Sequence, residues 1–194
     1  MKNENSVAMP EAALTAADHM LGDPQASLTL LEYGDYECPA CMQAEPLTQQ
    51  LVQAFGKRMC FVFRHFPLVE VHPQAELAAE AAETAAAQGK FWAMHHLLFN
   101  KPHQLGLAAL TADAQAIGLD MIRFNAEMAD RIYTQRVQEH RRAGERSRVR
   151  ATPSFFLNGT PVDVSFGFKK LEEAIHVALH AAPHAAPSSD IGQA

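Results

Sequence analysis

Apolar residues are grouped near the N-terminal end of the chain in two short runs. Leu28–Tyr33 and Met59–Phe63 are almost continuously apolar, which is typical of buried β-strands. Between them, Pro39 stands at a favoured first helical position, and the helical spacing that follows ends at Gly56. Strand, helix and strand within about forty residues predict a βαβ unit with parallel strands and a right-handed crossover.

The pattern changes to helical spacing over residues 67–149. Gln74–Gln88 is rich in Ala and Glu, which favour helices, and Phe91–Phe99 has an apolar face at helical spacing. Thr111 and Asp120 are predicted N-caps of two further helices. Because no run in this region has a strand pattern, we expect an all-helical insertion.

Strand patterns return after the insertion. Ser154–Leu157 and Pro161–Ser165 flank Asn158-Gly159, a dipeptide that strongly favours a β-hairpin. Lys169–Ala181 then has the apolar spacing of a helix. The predicted fold class is therefore α/β, with the order βαβ…ββα and an all-helical insertion.

The predicted organisation divides the chain into one domain, one insertion and two ends. The α/β domain takes residues 23–66 and 150–181, and the helical subdomain takes residues 67–149. Residues 1–22 are polar and Ala-rich and are expected to form an N-terminal lead-in. Residues 182–194, rich in Ala, Pro and Ser, are expected to be disordered.

Composition and charge narrow the classes of partner. Hydrophobic residues make up 48% of the 194 residues, which is enough for a core, and the formal net charge is −6. That charge argues against a nucleic-acid or anionic-membrane partner. The arginines between Arg141 and Arg150 are interleaved with glutamates, as on a solvated helix face. No apolar run is long enough to insert into a membrane as a helix.

The expected compartment follows from the N-terminal residues and the cysteines. The first ten residues have no apolar signal-peptide core, and three cysteines are too few for a disulfide-stapled secreted scaffold. We therefore expect a cytoplasmic protein, or a periplasmic one if a signal peptide has been removed.

The candidate chemistry is the C-x-x-C pair Cys38 and Cys41, which indicates either half of a zinc site or a redox dithiol. A structural zinc site needs four ligands, and the third cysteine, Cys60, lies alone in an apolar run. The redox interpretation is favoured because Cys38 stands at a helix N-terminus, where unpaired amides and the helix dipole stabilise a thiolate. Cys41 follows one turn later on the same face, within disulfide reach. We expect Cys38 to attack substrate disulfides and Cys41 to resolve the mixed disulfide.

Four stretches together resemble the DsbA-like family of thioredoxin-fold thiol–disulfide oxidoreductases. These stretches are Leu31–Cys41, Phe63–Leu68, Gln88–Trp92 and Thr152–Gly159. The similarity covers about residues 18–180 and is greatest to the soluble bacterial branch, whose members occur alone or fused to membrane transporters. It implies a thioredoxin domain with an inserted helical cap.

The resemblance also implies a substrate-binding loop. Thr152-Pro153 would be a cis-proline loop facing the dithiol, with the Thr152 backbone free to pair with an extended substrate segment. The residues alone leave a trans proline at the start of a strand equally open. The substrate-binding residues expected on this basis are Pro39, Ala40, Thr152 and Pro153.

Glu32 and a histidine pair are further candidates. The resemblance implies that Glu32 lies beneath the dithiol and takes the proton of the buried cysteine, with a pKa raised by burial. The alternative is a solvent-facing Glu on one side of the strand. His95 and His96 lie in a helix that the family places near the active-site groove, but we interpret them as surface histidines. Cys60 is interpreted as a small buried hydrophobe.

The expected function is exchange of the Cys38/Cys41 dithiol with disulfides of protein or small-thiol substrates. A glutathione or thioredoxin system would supply or accept electrons, and no metal or cofactor is expected beyond the redox-active disulfide. Strongly oxidising members of the family carry Pro-His between the cysteines, whereas this chain has Pro-Ala, which predicts a reducing or isomerising direction.

Two other functions compete with this one. A glutathione-dependent transferase or isomerase has a similar architecture, but such relatives carry a serine in place of the cysteine pair. A non-enzymatic peptide-binding or chaperone module would use the same groove without turnover, and redox cycling of Cys38 and Cys41 would separate it from the enzyme.

Overall fold

The computed structural model of the chain describes residues 14–15, 17–101 and 104–181. Its strands are β1 (His19–Gly22), β2 (Leu28–Gly34), β3 (Met59–His65), β4 (Ser154–Leu157) and β5 (Thr160–Val162). Its helices are α1 (Pro39–Phe55), α2 (Ala75–Ala86), α3 (Phe91–Asn100), α4 (Leu107–Ala116), α5 (Met121–Ala129), α6 (Thr134–Arg146) and α7 (Lys169–Ala181). No helix in this described part of the chain combines the length and the apolar character that a membrane crossing requires.

The strands form one mixed sheet in the order β1-β3-β2-β4-β5. The neighbours β2 and β3 are parallel and connected through α1, so the predicted βαβ unit is present. The pairs β1–β3, β2–β4 and β4–β5 are antiparallel. This arrangement, with helices α2 to α6 between β3 and β4, confirms the predicted α/β fold class.

The central strands β2 and β3 are buried on both faces: nearly all of their residues are buried, and successive residues point to opposite sides. Leu30, Phe61 and Phe63 belong to the larger core, which also contains Cys38 and Cys41. A smaller cluster on the other face contains Leu31, Tyr33, Cys60 and Val62. The dithiol and Cys60 are therefore separated by the sheet.

The N-terminal part of the chain differs from the expected lead-in. Residues 19–22, within the range 1–22 predicted as a lead-in, form the edge strand β1, which pairs with β3 from His19↔Phe63 to Gly22↔Cys60. The strand has only two apolar residues between His19 and Gly22, too few for a recognisable pattern, and β3 provides its hydrogen-bonding partner. The expected disordered tail, 182–194, lies outside the described residues.

Two local predictions in the second half of the chain were wrong and one is confirmed. Thr111 is not an N-cap but lies inside α4, where its hydroxyl donates to the Leu107 carbonyl at 2.8 Å. The second hairpin strand is Thr160–Val162 rather than Pro161–Ser165. Asp120 does cap α5, and its carboxylate accepts the N–H groups of the second and third helical residues at 3.0 and 3.1 Å.

Candidate active site

Cys38 is held at the junction between the sheet and the first long helix. It is the N-cap of α1, with extended backbone (φ −79°, ψ 121°), and Pro39 follows at the first helical position. The Cys38 N–H donates to the Asp35 carbonyl at 3.2 Å, which fixes the turn after β2. Only 7% of Cys38 is exposed. Its sulfur thus lies among the unpaired amides of the helix N-terminus.

The surroundings of Cys38 favour the thiolate. A hydrogen bond with the Cys41 thiol, contact with Thr152 and the N–H groups of Cys41 and Ala40 outweigh burial and lower the pKa of Cys38 to about 5. As a thiol, Cys38 donates to the Thr152 carbonyl at 3.3 Å. The Thr152 hydroxyl is buried and has no hydrogen-bond partner among the described residues, so it can donate to the thiolate.

Cys41 has the opposite electrostatic environment. Its side chain is fully buried, and this burial, the hydrogen bond with Cys38 and the negative charges of Glu32 and Cys38 raise its pKa well above the usual value. The Asp35 N–H lies 3.4 Å from the Cys41 sulfur. The two sulfurs are not bonded to each other in this structure. One sulfur is poised as a thiolate and the other as a neutral thiol.

Glu32 is buried rather than solvent-facing. It lies in β2 between Phe63 of β3 and Phe155 of β4, and 2% of it is exposed. Burial, and then the charges of Glu45 and Cys38, raise the pKa of Glu32 well above its usual range. The solvent-facing alternative is therefore excluded, and Glu32 interacts electrostatically with both cysteines.

Asp35 and His72 are neighbours of the cysteine pair that the sequence did not indicate. The buried Asp35 carboxylate accepts the N–H groups of Glu37 and Leu68 at 2.8 and 2.9 Å and lies 2.8 Å from His72 Nδ1. Burial opposes protonation of His72, but the bond to Asp35 and the charges of Asp35 and Cys38 raise its pKa overall. An imidazole with a raised pKa therefore interacts electrostatically with Cys38, although no histidine stands between the cysteines. The sequence offers one indication of this pair, which is that Asp35 comes just after a predicted strand.

A groove of about 800 Å³ runs beside the cysteine pair. The Thr152–Pro153 peptide bond is cis, and Thr152, Pro153 and Ala40 line the groove. The remaining lining is mixed in character and includes Arg148, Val149, Phe156, Pro161 and Val164. Pro39, expected with the substrate-binding residues, is exposed at the start of α1 but is not part of this lining.

The interpretation of His95 and His96 as surface histidines was wrong for His95. Only 1% of His95 is exposed, because it lies on the buried face of α3 with Met94 and Leu98. Its ring bonds Tyr36 at 3.0 Å and Glu45 at 3.2 Å.

Comparison with known proteins gives a family match over most of the chain. A family model described as Thioredoxin matches residues 14–176. Among curated proteins, the chain is 42% identical over 158 residues to Na(+)/H(+) antiporter NhaA 1 of Salinispora arenicola, which covers 81% of this chain and 24% of that protein. It is 41% identical over 146 residues to a protein of the same name from Mycobacterium sp. (strain KMS), covering 73% and 24%. The chain thus spans about a quarter of the length of these relatives.

Several solved structures have a similar fold. A thioredoxin-like oxidoreductase from Silicibacter pomeroyi has a TM-score of 0.76 and 26% identity, over 92% of this chain and 100% of that one. BdbD from Bacillus subtilis has a TM-score of 0.75 and 20% identity, over 83% and 92%. The thiol-disulfide exchange protein alpha-DsbA2 from Wolbachia pipientis has a TM-score of 0.73 and 18% identity, over 84% and 88%. The last two likenesses concern the fold alone.

Proposed function

Because the chain belongs to the thioredoxin family and has the fold of its DsbA-like oxidoreductases, we propose that it exchanges the Cys38/Cys41 dithiol with disulfides of other molecules. The observation that carries this proposal is the placement of two free sulfurs one helical turn apart at the start of α1, where their surroundings shift the two pKa values in opposite directions. Cys38, with a pKa of about 5, is a nucleophile at neutral pH, whereas Cys41 keeps its proton until the second step.

The proposed reaction has two exchange steps. The Cys38 thiolate attacks one sulfur of a substrate disulfide, which forms a mixed disulfide and releases one substrate thiolate. Cys41 then loses its proton and attacks the Cys38 sulfur, which forms the Cys38–Cys41 disulfide and releases the second substrate thiolate. Two electrons pass from the dithiol to the substrate, and the reverse sequence oxidises a substrate dithiol.

Glu32 is the proposed acceptor of the Cys41 proton. A carboxylate with an ordinary pKa would be a weak base towards a buried thiol, and the raised pKa of Glu32 reduces that mismatch. The attack of Cys38 needs no such help, because its proton is already lost at neutral pH.

The proposed substrates are proteins with an accessible disulfide or dithiol. Thr152 lines the groove and its carbonyl contacts Cys38, so its backbone would pair with an extended substrate segment. We propose a glutathione or thioredoxin system as the thiol partner that reduces the Cys38–Cys41 disulfide back to the dithiol. Ion transport, which the names of the relatives state, is not part of the proposed function, because this chain corresponds to about a quarter of their length.

The proposed direction is reduction or isomerisation in the cytoplasm. A Cys38 pKa of about 5 lies between the values of roughly 7 for thioredoxin and roughly 3.5 for DsbA. Thiolate stability and reduction potential vary together, so we expect a potential between about −270 and −120 mV. In a compartment that keeps thiols reduced, the resting form would be the dithiol.

A redox titration combined with turnover assays tests the proposal. The pair is equilibrated in glutathione buffers of varied ratio, and reduction of a disulfide-bonded peptide is followed with glutathione as the electron donor. We expect a single two-electron transition and a turnover that C38S abolishes. A peptide-binding module would bind the peptide with no redox cycle. A glutathione-dependent transferase would keep its activity in C38S. Either result would refute the exchange mechanism.

A further inference from the structure

A carboxylate and two imidazoles converge between α1 and α3, away from the two sulfurs. Glu45 of α1 lies 3.2 Å (Oε2) from His95 Nε2 and 2.7 Å (Oε1) from His96 Nδ1. One ligand atom from each of the three residues lies within 4.8 Å of the other two. Two histidines and one glutamate are a known donor set for zinc sites with an open position.

The separations are close to those that a metal ion requires. Tetrahedral zinc with bonds of roughly 2.1 Å holds its ligand atoms about 3.4 Å apart. The two separations, 3.2 and 2.7 Å, are shorter than this by about 0.2 and about 0.7 Å. A small outward rotation of His96 provides the difference, because 37% of its side chain is exposed.

The groups around the three residues orient them. The Tyr36 hydroxyl lies 3.0 Å from His95 Nδ1, the ring nitrogen that faces away from Glu45. If Nδ1–H donates to Tyr36, the lone pair of Nε2 points at the Glu45 carboxylate, an arrangement that a cation between them satisfies. Gln49 Nε2 donates to Glu45 Oε1 at 2.7 Å, and the Thr48 hydroxyl lies 3.2 Å from Oε2.

The charge balance also favours a cation. The ion pairs of Glu45 within the described ranges are with the two histidines alone, so no lysine or arginine of this part of the chain balances its charge. A recess of about 10 Å³, near the minimum for one water-sized particle, is lined by Glu45, Gln49 and His96.

A similar group elsewhere in the molecule lacks these features. His19, His65 and Glu83 also have ligand atoms within 4.8 Å of one another. Both imidazoles, however, bond the same oxygen of Glu83, at 2.9 and 3.0 Å, and the Arg136 guanidinium lies 3.9 Å from that oxygen. A resident positive charge already balances this carboxylate, so no metal is assigned there.

We propose that Glu45, His95 and His96 bind one divalent metal ion of the zinc type. The ion would tie the helix that carries the cysteines, α1, to the inserted helix α3, with its open coordination position on the exposed side of His96. This site goes beyond the proposed thiol–disulfide exchange and does not depend on it.

Metal titration of the oxidised full-length chain tests the site, since formation of the Cys38–Cys41 disulfide prevents the dithiol from chelating. Untagged protein is treated with a chelator, dialysed and titrated with Zn²⁺ by calorimetry and with Co²⁺ by visible absorption. We expect one equivalent to bind and the cobalt complex to absorb as a tetrahedral or five-coordinate site. Zinc should also raise the Tm of the wild-type chain.

The variants separate this site from adventitious binding. H96A removes a partly exposed ligand and should weaken zinc affinity at least tenfold, and E45Q should do the same. The matched control is H176A, which removes an exposed histidine of α7 and should bind zinc as the wild type does. If E45Q is unfolded by circular dichroism, H96A decides. Absence of binding by the wild type, or equal affinity in H96A, would overturn the proposal.

Discussion

The low pKa of Cys38 can be tested by removing the neighbour that contributes most to it. The pKa is depressed from an ordinary 9.0 to about 5, and the largest contribution is the hydrogen bond with Cys41. Four groups share the stabilisation of the thiolate: the Cys41 thiol, Thr152 and two backbone N–H groups. If each of the four groups contributes a similar part of the lowering of the pKa by about 4, the hydrogen bond with Cys41 lowers the pKa by about 1 or more. This corresponds to a factor of at least about ten in the ratio of thiolate to thiol.

C41A should therefore raise the pKa of Cys38 to about 6 or higher. The assay is the rate of alkylation of the reduced chain by iodoacetamide between pH 3 and 9, with the modified residue identified by peptide mass. C60A is the matched control, because Cys60 is buried on the opposite face of the sheet and its loss should leave the profile unchanged. A wild-type midpoint near 8, or the same midpoint in C41A and wild type, would show that the thiolate is not stabilised as described.

Three further predictions follow from the same site. C41S should accumulate a mixed disulfide at Cys38, detected by non-reducing electrophoresis; normal cycling would contradict the assigned roles. E32Q should slow resolution by Cys41 between pH 5 and 8 but leave the first attack by Cys38 unchanged in stopped-flow measurements; equal rates for both steps would assign Glu32 a structural role. The folded state depresses the Cys38 pKa, so the unfolding free energy of the reduced chain should rise from pH 5 towards pH 9, by at most roughly 5 kcal/mol. Below pH 5, where the thiolate is protonated in the folded state as well, this contribution should be absent. The oxidised chain should lack this increment in urea unfolding, and parallel pH profiles of the two forms would contradict it.

Local patterns in the sequence predicted much of the α/β domain. The apolar runs of β2 and β3, and Pro39 between them, were sufficient for the βαβ unit, and the comparisons confirm the recognised family and the oxidoreductase class. β1 was missed because an edge strand with two apolar residues has no distinct pattern. The sequence wrongly indicates Thr111 as a cap, because a threonine can bond the backbone of the preceding turn as well as cap a helix.

The part of the candidate site that is formed by residues close together in the sequence could be predicted. Cys38 and Cys41 are three residues apart, and their roles follow from the start of one helix. The partners of Asp35 and Glu45 could not be inferred in this way, because His72 is 37 residues from Asp35 and His95 is 50 residues from Glu45. Such contacts depend on how the insertion packs against the domain.

The Asp35 carboxylate joins two parts of the fold that are far apart in the chain. It accepts one N–H from the turn that leads to Cys38, and it bonds Leu68 and His72 at the beginning of the helical insertion. Substitutions near residues 68–72 would therefore change the orientation and charge of His72 and, through it, the electrostatic potential at Cys38. Changes in this segment would be a second route to adjust the redox properties of this protein, one that leaves the two residues between the cysteines unaltered.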